Sequence, residues 1–193
     1  MKRLLAYMFL VLVLTFNFQS LTKADDIRDF QIEGMSIGDS ALDYMNEKEF
    51  NQSKLLNDFK DKKYSAREFI NFGFMKVYET LNINYLTNDK KYIIQGISGI
   101  IKFKDSINKC HKQKDIIKDE LKSLFPNAEL KKGKKKFASA LGKGHWEGYA
   151  YILNSGDLAI ITCYDYSSGY VDHLRISIRY KKYNDWLINK AYK

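Results

Sequence analysis

The chain has 193 residues, 45% of them hydrophobic, with 32 basic and 23 acidic side chains and a net charge of +9. That is enough for one domain with a real core, and the absence of an internal repeat, a low-complexity linker or a break in composition argues against two. Lys131, Lys132, Lys134, Lys135 and Lys136 supply much of the positive excess from a single segment, so a broad nucleic-acid surface is excluded.

Residues 1–24 read as a secretory signal. Lys2 and Arg3 open it, Leu4 to Phe18 form an apolar run, and Thr22-Lys23-Ala24 offers a small-residue exit. The run of about 15 residues falls short of the roughly 20 that a membrane-spanning helix needs. Cleavage is therefore expected, with no transmembrane anchor afterwards, and no cysteine follows the run to carry a lipid. Residues 25–193 are then a single exported α+β domain, periplasmic or secreted. Lys2, Arg3 and Lys23 leave with the signal, and the net charge falls from +9 to +6.

The segment Asp29 to Tyr44 places Gly34 and Gly38 ahead of Ser40, which with Asp43 has the spacing of a capping box, so a short helix with Leu42 and Met45 inward should follow. A second weak helical stretch includes Leu55, Leu56 and Phe59. From Phe72 the pattern turns to strands. Phe72 to Tyr85 and Tyr92 to Phe103 form a hairpin through a turn at Asn88-Asp89.

Asp105 to Phe125 then spaces Ile107, Cys110, Ile117, Leu121 and Leu124 along one stripe of a helix. Asp105 or Ser106 can cap its start, and Pro126 stops it because proline disfavours helical geometry in the residue before it. Cys110 faces the core. Two cysteines in an exported chain favour one disulfide, Cys110 to Cys163, over two buried thiols.

After a lysine-rich loop come three strands, His145 to Leu153, Leu158 to Tyr166 and Val171 to Tyr180. Four-residue turns at Asn154–Asp157 and Ser167–Tyr170 would pair Leu153 with Leu158 and Tyr166 with Val171. One face then carries Ile152, Ala150, Gly148, Ala159, Ile161, Cys163, Leu174, Ile176 and Ile178, and the helix should cover it. Tyr183 to Tyr192 forms a short amphipathic helix against an edge of the core. The expected fold is an antiparallel sheet of about five strands in the order β-β-α-β-β-β-α, with helix 105–125 on one face and a short helical N-terminal segment before it.

The Asp29 to Tyr44 run resembles the opening of an uncharacterised family of small exported bacterial α+β proteins with no assigned activity. The order of an Ile-rich strand, a helix with one cysteine and a strand with the other is similar to theirs as well. The resemblance covers the mature chain and implies a location more than an activity. The Gly34-Met35-Ser36 turn also resembles that of small outer-membrane assembly lipoproteins, whose lipid-bearing cysteine is absent here.

On the same register the uncovered face gathers Glu147, Tyr149, Tyr151, Tyr164, His173, Arg175 and Arg179. Aromatic area and two arginines could serve a ligand or an envelope protein partner, and the same residues also suit an ordinary solvated face. The leading reading is a non-enzymatic binding or envelope-interaction module. The alternative is a hydrolase-like enzyme with a Glu147/His173 acid–base pair. Lys131, Lys132, Lys134, Lys135 and Lys136 could add a weak contact with anionic surfaces. No cofactor or metal is expected, since His111, His145 and His173 are scattered. Gly96-Ile97-Ser98-Gly99 is one residue short of a nucleophile elbow, and Gly142-Lys143-Gly144 lacks the rest of a phosphate loop.

Overall fold

The computed structural model describes residues 26–56, 58–104, 106–139 and 142–193; the expected signal segment 1–24 and the candidate cap Asp105 lie outside the described residues. Among the described residues, two four-stranded meanders make one antiparallel sheet. The first comprises β1 (Lys54–Leu56), β2 (Tyr64–Ile70), β3 (Thr80–Leu86) and β4 (Ile94–Lys102). The second comprises β5 (Glu129–Ser139), β6 (Gly142–Ile152), β7 (Leu158–Gly169) and β8 (His173–Arg179). Strand β8 returns to pair with β4, so the order is β1-β2-β3-β4-β8-β7-β6-β5. The helices are α1 (Glu47–Gln52), α2 (Ile107–Leu124) and α3 (Lys181–Asn189).

This corrects the expectation of five strands. Strand β2 escapes a search for alternation because both its faces are covered: Phe69 packs on Phe50 of α1, and Tyr64 and Ala66 pack with Tyr183 and Trp186 of α3. Strand β5 is the expected lysine loop. All eleven of its residues pair with β6, but its outer edge has no neighbour and its side chains are mostly exposed, so it carries no apolar pattern. The weak helical stretch at 55–59 is the short edge strand β1, and the Ser40 cap starts a single 3-10 turn, Ala41–Asp43, ahead of α1.

One face of the sheet is covered from β2 to β7 and in part at β6. Helix α2 lies over β7, β8 and β6, with Cys110, Lys114, Ile117 and Leu121 buried beneath it. These four fall at i, i+4, i+7 and i+11, so Lys114 fills the gap in the apolar stripe. The N-terminal segment covers the other half of this face with Ile32, Met35, Ile37, Ala41 and Phe50. Its course is pinned by Glu33, whose carboxylate accepts the backbone N–H groups of Lys76, Val77 and Tyr78 at 2.7–2.9 Å. Burial alone would raise the Glu33 pKa, and these three donors hold it below the usual range.

Helix α3 lies on the opposite face rather than at an edge. Tyr183 fits against Gly96, where a Cβ would meet its ring at 2.8 Å. Pairing of β7 with β8 follows the expected register, with Cys163 opposite Leu174, Thr162 opposite Arg175 and Tyr164 opposite His173. Pairing of β6 with β7 does not: Ile152, not Leu153, stands opposite Leu158. The turn is one residue longer than expected. The Leu153 N–H donates to the Asp157 carbonyl at 3.0 Å, the Gly156 N–H to the Leu153 carbonyl at 2.8 Å, and Gly156 takes φ +84°. That left-handed position closes the loop and suits glycine. Because side chains alternate, the slip exchanges the two faces of β6.

The disulfide joins Cys110 on α2 to Cys163 on β7, with Cα atoms 6.0 Å apart and a sequence separation of 53. By loop entropy such a cross-link is worth about 4 kcal/mol. Replacing both cysteines with alanine should lower the urea unfolding free energy by about 3–4 kcal/mol relative to the oxidised protein. A change below about 1 kcal/mol would show that α2 is held by its other contacts alone.

Candidate functional site

The register of β6 divides the expected ligand face in two. Glu147, Tyr149 and Tyr151 point to the α2 side, in rows with Cys163, Ile161 and Ala159. Tyr164, His173 and Arg175 remain on the other side. The expected Glu147/His173 pair does not form, because the sheet lies between the two residues.

On the α2 side these residues build a polar cluster under the helix. Lys114, with a side chain only 2% exposed, donates to Glu147 Oε1 at 3.1 Å and lies 3.3 Å from His111 Nδ1. Lys132 and Lys134 of β5 reach the same carboxylate from outside, each at 3.5 Å. The bond from Lys114 outweighs burial and, with the nearby Lys132, pulls the Glu147 pKa down to about 2. Tyr149 offers its ring to Lys114, Lys118 and Lys132 at 5.2–5.9 Å. Tyr151, 2% exposed, donates its hydroxyl hydrogen to the Lys118 carbonyl at 2.5 Å. Each member has a partner, so the cluster ties helix to sheet.

The opposite side is open. Between α3 and the β5 edge runs a groove of about 410 Å³. Ala150, Leu158 and Ile160 form an apolar floor and stay only half-buried. Gly148 keeps the floor low, since a Cβ there would come within 2.3 Å of the Ile161 carbonyl oxygen. Trp146 and Tyr164 make one wall. The Trp146 indole lies across Gly133 of β5, where a Cβ would meet the ring at 2.8 Å. Asn184 and Ile188 of α3 make the other wall, with Arg179 beside them; Arg179 Nη1 donates to Asn184 Oδ1 at 3.3 Å.

Next to this groove the aromatic row continues into β8. Tyr164 stacks on His173 with ring centroids 4.8 Å apart and planes at 15°, and Arg175 places its guanidinium 5.5 Å from the Tyr164 centroid. Phe137, Tyr166 and Tyr170 close the end of the row. His173 is 2% exposed. Its Nδ1 lies 3.0 Å from the Val171 carbonyl, to which it donates, and its Nε2 is buried without a partner. Burial pushes its pKa down to about 4, and Arg175 and Lys102 add to the shift against the bond to Val171.

Sequence reasoning therefore places Tyr164, His173, Arg175 and Arg179 on the side that holds the groove and misses Trp146, Asn184 and Ile188. The missing signal was Gly156: a glycine in the penultimate position of a five-residue turn would have moved Trp146, Gly148 and Ala150 to this side. Of the five lysines, Lys131 pairs with Glu129 at 3.3 Å and Lys132 and Lys134 with Glu147. Lys135 and Lys136 have no carboxylate partner among the described residues. No group of three or more His, Cys, Asp or Glu side chains gathers as a metal site among the described residues. No helix there is long and apolar enough to cross a membrane. No protein-family model matches this chain, and comparison with curated proteins and with solved structures finds no match.

Two pH-dependent contributions follow from these environments. Glu147 is depressed, so its stabilisation is present above its unfolded value of about 4.3 and is lost as pH falls towards 2. Glu147→Gln should destabilise the protein by about 2 kcal/mol at pH 7, less than a fully buried pair because Glu147 keeps 19% exposure. The variant should also flatten the stability curve between pH 4.3 and 2; an unchanged acid limb in urea titrations would refute the assignment.

His173 acts at higher pH. Below about 6.5 the unfolded chain binds a proton that the folded chain refuses, so stability falls from pH 6.5 to about 4 and then levels. At pH 4.5 this residue alone should remove about 2–3 kcal/mol relative to pH 7. His111, whose pKa burial and Lys114 also lower, adds a slope of the same sign. His173→Phe should keep only the remainder, as measured by urea midpoints at the two pH values.

Proposed function

We propose that this chain is an exported, non-enzymatic binding module that holds a small ligand in the groove on the sheet face opposite α2. One observation carries the reading. The polar cluster under α2 is packed and hydrogen-bonded, whereas the other face presents a groove of about 410 Å³ with half-buried apolar side chains for a floor and Trp146 and Tyr164 for a wall. Small-molecule sites are concave, mostly apolar and roughly 300–1,000 Å³ in volume, which favours a small ligand over a protein partner.

Export is supported by the charged, apolar and small-residue succession in residues 1–24 and by a disulfide, which persists in oxidising compartments. A bacterial envelope or the extracellular medium would both suit it. The lysines of β5 have a lesser part. Each could add at most about 1 kcal/mol at an anionic surface, and Lys132 and Lys134 already face Glu147. Their exposed charges also keep the long unpaired edge from pairing with another chain.

The uncharged hydrophobic probe N-phenyl-1-naphthylamine tests the groove directly. The folded protein should bind it saturably at one site, with enhanced fluorescence. Ala150→Trp, which fills the floor, should weaken it by about tenfold or more while the unfolding midpoint moves little. Binding that survives Ala150→Trp unchanged would place the probe elsewhere and remove the proposal.

A further inference from the structure

Among the buried and half-buried cations, two on the groove face have few acceptors within the chain. Lys114 has Glu147. Arg67, whose Nε is buried without a partner, still donates to the Asn51 and Ser53 carbonyls and to Asn51 Oδ1 at 2.9–3.2 Å. Arg175 and Arg179, four residues apart on β8, pair with no carboxylate among the described residues.

Arg175 stacks on Tyr164 and buries its Nε without a hydrogen-bond partner. Arg179 donates to the neutral Asn184, leaving most of the five N–H donors of a guanidinium unused. Burial disfavours its charge, and the like charge of Arg175 adds to that. Two partly desolvated guanidinium groups with no counter-charge are costly unless something supplies one. Arg179 lines the groove where a ligand on the apolar floor would end, and Arg175 stands beside the groove, opposite Thr162 and against Tyr164.

We infer that the groove takes a small amphipathic organic anion, with its flat apolar body on Ala150, Leu158 and Ile160 against Trp146 and its acidic head group on Arg179, with Arg175 adding attraction. The inference rests on the groove being the binding site. A carboxylate, sulfonate or phosphate head accepts bidentate bonds from a guanidinium, and in a partly dry site such charge-assisted bonds are about twice as strong as neutral ones. The occupant is a free molecule rather than a membrane surface, because the groove has the volume of a small-molecule site and the arginines are not exposed knobs.

Two fluorescent probes separate the body from the head. The compound 1-anilinonaphthalene-8-sulfonate has the ring system of N-phenyl-1-naphthylamine and differs from it by the sulfonate. With the oxidised, folded protein at pH 7, Arg179→Gln and the double variant Arg175→Gln/Arg179→Gln should weaken the sulfonate probe about tenfold or more. The neutral probe should stay within about twofold. Asn184→Asp keeps both arginines and so guards against loss of the fold. It gives Arg179 an internal carboxylate, so it should also weaken the sulfonate probe selectively while raising the unfolding midpoint.

Equal weakening of both probes, or a sulfonate affinity indifferent to all three variants, overturns the inference. If the neutral probe still binds and is displaced by Ala150→Trp, the groove stands and only its anionic preference falls. If neither probe binds the unaltered protein, groove and anion fall together.

Discussion

The fold depends on one constraint: Lys114 is carried beneath α2 and must meet a carboxylate there. A lysine 2% exposed cannot stay charged in an apolar interior without a partner, and Glu147 is the partner that the sheet supplies. Glu147 can reach it only if β6 turns its odd-numbered residues to the helix. That choice also brings Tyr151 to the Lys118 carbonyl and Tyr149 under three lysine side chains. A slip by one residue would set Gly148 under Lys114 and expose it to no acceptor. The polar contact thus specifies register, a use of buried charge that apolar packing would serve less well.

What α2 takes from β6, the other face loses. The residues left to it are Trp146, Gly148 and Ala150, one large and two too small to fill the layer above them. Helix α3 covers only the Gly96 and Tyr64 end of that face, where Tyr183 and Trp186 pack, so its outer residues Asn184 and Ile188 become a wall instead of a lid. The groove therefore results from the same register that satisfies the buried lysine. The disulfide, with Cys163 directly opposite Glu147 and Cys110 one turn before Lys114, fixes the helix against the sheet at the same place.

The parts of this arrangement that were legible in the sequence are those governed by a single period. The alternation of Ala159, Ile161 and Cys163 with Ile160, Thr162 and Tyr164 set the β7–β8 pairing, and the cysteine stripe of α2 pointed to the covered face. Tyr164, His173 and Arg175 could be assigned to the open side for that reason. Glu147, Tyr149 and Tyr151 could not, because their side was decided by one extra turn residue at Gly156, while the alternation within β6 reads the same either way. Strand β2 is covered on both faces, and β5, paired only with β6, is mostly exposed on both, so neither shows the half-buried pattern by which strands are recognised. Lys114 carries no apolar signal, so the period of α2 alone did not mark it as a buried residue of the stripe.

The two treatments of positive charge in this sheet are physically distinct. On β5 the lysines are exposed, hydrated and strung along an edge of eleven paired residues, where charge opposes unwanted strand addition and loses little by being there. On β8 the arginines sit within a sheet, flanked by strands on both sides, where hydration is incomplete and hydrogen-bond donors are left over. Replacing Arg175 or Arg179 by an apolar side chain of similar length would extend the floor of the face and remove the desolvation penalty. Their presence beside an apolar groove therefore costs stability, and an anionic ligand of the kind proposed would offset that cost.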